Sequence, residues 1–87
     1  FSADERMAAV LVALSRRYAA RGFSPTRFTL SMARTDIANY LRLAPETVSR
    51  VLKRFQHDGL LSVERRELEL LDRSRLEALA APVLHLG

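Results

Sequence analysis

The chain has 87 residues, 48% of them hydrophobic, a formal net charge of +4 and no cysteine. That length allows one domain with a modest core, and the missing cysteines exclude disulfides, thiolate metal sites and cysteine catalysis within these residues. No apolar run approaches the roughly 18 residues of a membrane span, so a soluble globular domain without a membrane partner is expected.

Thirteen of the fourteen cations are Arg. Arg carries a planar donor fork that suits phosphate and guanine edges, which makes nucleic acid the first partner to consider. A genome rich in Arg codons gives the same bulk composition, so position along the chain has to decide. The start at Phe1, without a signal-peptide pattern, reads as part of a longer cytoplasmic protein.

In chain order, Ser2-Ala3-Asp4-Glu5 has the spacing of a capping box and predicts a helix. Met7, Val10, Leu11, Leu14 and Tyr18 form its apolar stripe, Arg16, Arg17 and Arg21 lie toward its C-terminal end, and Gly22 is its stop. Ser24-Pro25-Thr26 reads as a turn. Phe28 to Met32 alternates apolar and polar residues, as a half-buried strand does.

Arg34 to Phe55 holds two short helical patterns broken at Arg42 to Ala44. The first has Ile37, Tyr40 and Leu41 at helical spacing, with Ala38 small enough for a close crossing and Leu43 placed to plug the corner. Pro45 suits the first position of the second helix, where no N–H is needed. At about 100° per residue, Val48, Val51, Leu52 and Phe55 fall on one side and Glu46, Ser49, Arg50 and Lys53 on the other. This is a helix-turn-helix pattern, whose second helix can enter the major groove. An ordinary helical hairpin with a solvated polar face fits the same spacing.

Asp58-Gly59 ends the second helix and launches two strands within Leu60 to Leu71, separated by Glu64-Arg65-Arg66-Glu67. Asp72, or Ser74 with Glu77, can cap a last helix through about Ala81, where Pro82 discourages continuation. The tail after it has no stated preference. Helix, strand, two helices and a hairpin is the order of a winged helix. His57 and His85 lack partners at metal spacing, and no catalytic constellation is evident, so the chain is not expected to be an enzyme.

Four runs resemble the DNA-binding domain of the Crp–Fnr superfamily of bacterial transcription regulators: Leu14-Ser15-Arg16-Arg17-Tyr18-Ala19-Ala20-Arg21-Gly22-Phe23-Ser24-Pro25, Asp36-Ile37-Ala38-Asn39-Tyr40-Leu41, Glu46-Thr47-Val48-Ser49-Arg50 and Arg54-Phe55-Gln56. They are closer to the Fnr branch than to Crp, whose readers have Arg at position 45 and Gly at position 49. The resemblance implies a mainly α fold with a small antiparallel sheet, a single winged helix-turn-helix domain over residues 1–87. It implies a recognition helix over residues 45–58 in the major groove of a palindrome with TTGAT and ATCAA half-sites. Glu46, Ser49 and Arg50 take the base-reading positions, and Arg34, Thr35, Thr47 and Lys53 the phosphate positions; Arg65 and Arg66 are candidate wing contacts. The chemistry agrees, because Arg can donate twice to guanine and Glu can accept from cytosine.

For the full-length protein the resemblance implies an upstream sensor barrel, a dimerisation helix, homodimers and RNA polymerase as a partner, with the fragment alone a monomer. No cofactor is expected within these residues, and the sequence does not name the sensor's effector. Three departures from the family stand out: Ala at positions 33 and 44, where Ser or Thr is usual; Arg42 in place of a turn Gly; and Glu64 and Glu67 flanking a wing tip without Gly. The reading from another class is a winged helix used for protein–protein contact, since fold does not fix function.

Overall fold

The computed structural model describes residues 1–85. Helix α1 spans Ala3–Ala20, and its capping box forms: Ser2 Oγ accepts from the Glu5 N–H at 3.1 Å, and Glu5 Oε1 accepts from the Ser2 N–H at 2.9 Å. The bond from the Ser2 N–H favours the ionised carboxylate and holds the Glu5 pKa below its ordinary value. The helix ends in a Schellman pair, with Gly22 donating to Ala19 and Phe23 to Tyr18, and Gly22 takes φ +82°.

The apolar stripe of α1 proves too narrow. Ala8, Ala9, Val12 and Ser15 are buried as well as Met7, Val10, Leu11 and Leu14. The reason lies at the far end of the chain. The last helix packs along α1, and Leu76 lines one hollow with Val12 and Ser15, so α1 is covered on more than one face. Tyr18 is half-buried and sets its ring edge-on to Phe28 at 5.0 Å. Among the described residues its hydroxyl is buried without a hydrogen-bond partner, and this burial, reinforced by the charge of the nearby Asp36, raises its pKa.

Strand β1 covers only Arg27–Thr29, and helix α2 takes over at Leu30 and runs to Leu41. The strand expected through Met32 is therefore corrected. Leu30, Ala33, Ile37 and Leu41 lie along the inward line of α2 at helical spacing, which commits Leu30 to the helix although it also satisfies the period of a strand. The strand's last bond is made by a helical residue, Leu30 N–H donating to the Arg66 carbonyl at 2.7 Å. Tyr40 falls off the inward line and is exposed. Ala33 is buried within the first turn of α2, whose N-cap is Thr29, so a hydroxyl at position 33 would not have capped this helix and its loss costs no cap.

Arg42 ends α2 in the left-handed region, at φ 51° and ψ 40°. Helix α3 follows over Pro45–His57, with Ala44 as an N-cap lacking a side-chain bond and Pro45 in the first turn. Asp58 is its C-cap rather than its last residue. Val48, Val51, Leu52 and Phe55 are all buried against the core, as their spacing requires. Gly59, at φ +74°, completes a second Schellman pair through Gly59 to Gln56 and Leu60 to Phe55.

Strands β2 (Leu61–Glu64) and β3 (Glu67–Leu70) pair in register, Leu61 with Leu70 and Glu64 with Glu67, around a two-residue tip. β3 is central, with β1 on its other edge and Arg27 opposite Glu69, their side chains bonded at 3.0 Å. Helix α4 spans Arg73–Leu84 and is capped by Asp72, not by a Ser74–Glu77 box. It runs a turn past the expected end, with Pro82 inside it. Proline removes one donor there, while Val83 and Leu84 gain packing against the core and His85 N–H still reaches the Ala81 carbonyl at 2.9 Å. The architecture is a winged helix-turn-helix.

The left-handed Arg42 carries a testable cost. An L-residue there loses about 1–2 kcal/mol, of which glycine forfeits part through its freer unfolded chain, roughly 0.5–1 kcal/mol. Arg42→Gly is therefore expected to raise the urea midpoint by the equivalent of about 0.5–1 kcal/mol. A lowered midpoint would mean that the Arg42 side chain makes contacts worth more than the strain.

Candidate nucleic-acid interface

The amphipathic division of α3 puts its polar face outward. Pro45, Glu46, Ser49, Arg50 and Lys53 line one shallow concavity on that face. Glu46, Arg50 and Lys53 are exposed, while Ser49 and Thr47 are half-buried. Among the described residues, no ion pair or side-chain hydrogen bond engages Glu46, Ser49, Arg50 or Lys53. Their donors and acceptors face outward and are available to an external partner. Sequence spacing had grouped four of the five; Pro45, read only as a helix starter, also forms part of the wall.

A second concavity lies between the head of α2 and the wing. It is lined by Thr29, Leu30, Ser31, Arg34, Arg65 and Arg66. The Leu30 to Arg66 backbone bond draws the wing against the first turn of α2, and this brings Arg34 together with the two wing arginines. Along the sequence they are separate groups. Ser31 enters the same site unforeseen, because Leu30 to Met32 also satisfies the period of a strand, and Thr29, the last residue of β1, lines it as well. Arg65 holds the tip of the hairpin in the left-handed region, at φ 54°.

Two of the expected positions sit differently. Thr35 Oγ1 donates to the Ser31 carbonyl at 3.0 Å, so its proton is engaged within α2 and a phosphate contact requires exchange of that bond. Thr47 lines neither concavity and is half-buried in the first turn of α3. Glu64 and Glu67 share a surface hollow with Arg65 and Arg66, which places two carboxylates beside the wing's cations. Among the described residues no helix is long and apolar enough to cross a membrane.

Comparison with known proteins gives the same architecture. The chain is 57% identical over 79 residues to the transcriptional activator protein anr of Pseudomonas aeruginosa, covering 91% of this chain and 32% of that protein. It is 49% identical over 79 residues to the fumarate and nitrate reduction regulatory protein of Escherichia coli K12, with the same coverage. The chain thus spans about a third of the length of these relatives. Among solved structures, FixK2 from Bradyrhizobium japonicum matches with a TM-score of 0.69 at 39% identity, over 90% of this chain and 38% of that one. A regulator of the crp/fnr family from Eubacterium rectale matches with a TM-score of 0.73 at 31% identity, over 92% of this chain and 34% of that one. Residues 5–79 match the family model of the Crp-like helix-turn-helix domain, and the chain belongs to that family.

Proposed function

We propose that residues 1–87 form the sequence-reading domain of a bacterial transcription regulator that acts in the cytoplasm. Its α3 enters the major groove of a palindrome with TTGAT and ATCAA half-sites. The observation that carries this reading is the single outward concavity of Glu46, Ser49, Arg50 and Lys53, none of them engaged within the described chain. Arg50 donates two bonds to guanine O6 and N7, Glu46 accepts from a cytosine amino group, and Ser49 lies near a thymine. Lys53 and Thr47 hold the phosphates beside the groove. Arg34, with Arg65 and Arg66, holds the backbone farther along, and Thr35 joins them once its proton is released from Ser31.

The relatives, a transcriptional activator and a fumarate and nitrate reduction regulatory protein, support a role in gene regulation. In the longer protein we expect a homodimer that meets RNA polymerase. A winged helix can instead serve protein contact, but the donor-rich reading face, with Arg50 and Lys53 on it, favours DNA. A gel shift with the palindrome across a range of salt tests the proposal. Sequence-preferring binding that weakens steeply with salt is expected. Binding to neither the palindrome nor random duplex would leave the protein-contact reading.

The wing carries its own expected result. Glu64 and Glu67 lie beside the two arginines and repel phosphate locally. Glu64→Gln with Glu67→Gln is expected to strengthen binding about threefold to tenfold at low salt, equally for the palindrome and random duplex, because phosphate contacts carry no sequence information. Filter binding at two salt concentrations measures this. An unchanged affinity would place the wing away from the backbone.

A further inference from the structure

The first two turns of α1 touch both helices of the helix-turn-helix. Arg6 Nη2 donates to the Leu41 carbonyl at 2.9 Å in a part-buried setting. Arg54 Nη2 donates to Asp4 Oδ1 at 2.8 Å. Leu41 is the last residue of α2, so its carbonyl has no helical donor of its own. Arg42, turned into the left-handed region, gives its N–H to Ala38 instead. The Arg6 guanidinium satisfies that orphan and sits at the negative end of the α2 dipole. Arg54 belongs to the last turn of α3, next to Lys53.

These two bonds leave α1 within three residues of one another. One ties down the end of α2 and the other the end of α3. The Asp4–Arg54 pair is 34% and 51% exposed, a setting in which an ion pair adds little to stability. What such a pair does fix is direction. The core contacts of α3 are apolar and non-directional, whereas a hydrogen bond at each helix end sets where that end lies against α1. The capping box at Ser2 and Glu5 makes the turn that carries Asp4 and Arg6 a defined platform.

We infer, building on the DNA-reading proposal above, that Asp4 and Arg6 are positioning residues that set the pose in which α3 presents Glu46, Ser49 and Arg50 to the bases. Neither need touch DNA. The test uses a difference of sign. Asp4→Ala removes a negative charge, and electrostatics alone then strengthens binding to every duplex. If Asp4 positions α3, the ratio of palindrome to random affinity falls instead, by about threefold to tenfold, the scale of indirect coupling. Arg6→Met keeps the aliphatic stem, loses the donors and is expected to lower the same ratio, while Arg6→Lys restores much of it. Thermal unfolding of each variant establishes that it is folded, and Asp4→Ala, at a partly exposed site, carries the test if Arg6→Met is not.

Fluorescence anisotropy on both duplexes gives the ratio, and backbone amide shifts of Glu46 to Arg50 in the free protein give the pose. An unchanged ratio with unmoved amides in a folded Asp4→Ala chain overturns the inference. If the parent chain shows no preference for the palindrome, the DNA-reading proposal fails. The amides then decide positioning alone: moved in Asp4→Ala, it stands; unmoved, it falls.

Discussion

Replacing Arg50 with Ala is expected to weaken binding to the palindrome by ~1–3 kcal/mol and to relax the preference at the guanine position. Arg50 is exposed and lines the α3 concavity, and no partner within the described residues holds its guanidinium. The groups therefore do not have to break an internal bond before they reach a base, and the whole of their directional bonding is available to the guanine edge. A phosphate contact behaves differently. Lys53→Ala is expected to weaken every sequence about equally and to flatten the dependence on salt, since a lost phosphate contact releases one counterion fewer. Titration of each variant against the palindrome, a palindrome with the guanine replaced, and random duplex separates the two residues. If Arg50→Ala weakens random duplex as much as the palindrome, Arg50 holds phosphate and does not read a base.

The parts of this protein that sequence reveals are those governed by one period at a time. Val48, Val51, Leu52 and Phe55 repeat at helical spacing, with polar residues between them, and all four are buried. Gly59 and Gly22 mark helix ends because a left-handed residue is needed there, and both have positive φ. The misreading at Phe28 to Met32 arises where two periods coincide. Leu30 fits a strand with Phe28 and a helix with Ala33 and Ile37, and only the rest of α2 settles which one wins. The wider burial of α1 depends on α4, and nothing in the local pattern of residues 8–15 announces a helix that arrives some sixty residues later.

The interface divides in the same way. Glu46, Ser49, Arg50 and Lys53 share a face of one helix, so their grouping follows from spacing. Arg34 joins Arg65 and Arg66 through the pairing of β1 with β3 and the bond from the Leu30 N–H to the Arg66 carbonyl, tertiary contacts between the head of a helix and a hairpin. Arg6 is farther still from legibility. In sequence it is one more cation in an amphipathic helix, and its role depends on a carbonyl 35 residues away that its own helix cannot satisfy. Side chains that complete another element's backbone leave no periodic trace.

Joining two copies is expected to change affinity more than any single substitution proposed for this chain. The protein's largest Cα extent is 30 Å, and it carries one α3. The two half-sites of a palindrome are read about 34–36 Å apart by two recognition helices, so one copy fills one half-site. The free chain is expected to bind weakly as a monomer, with equal affinity for one half-site and for each half of the palindrome. An unrelated parallel coiled coil placed ahead of Phe1, through a flexible linker long enough to span the half-sites, makes the second binding event intramolecular. Such linkage raises apparent affinity by roughly 10²–10⁴ when the geometry fits. No base contact changes, so the gain should appear on the palindrome, shrink when the half-site spacing is altered by half a DNA turn, and vanish on a single half-site. The flexible linker also leaves Asp4 and Arg6 free of any pull from the added helix, which keeps the pose of α3 the same in both proteins. Titration of the fused and unfused chains against all three duplexes reads the effect. Cooperative nanomolar binding by the unfused chain would mean that residues 1–87 already contain a dimer surface, and the fused chain would then gain little.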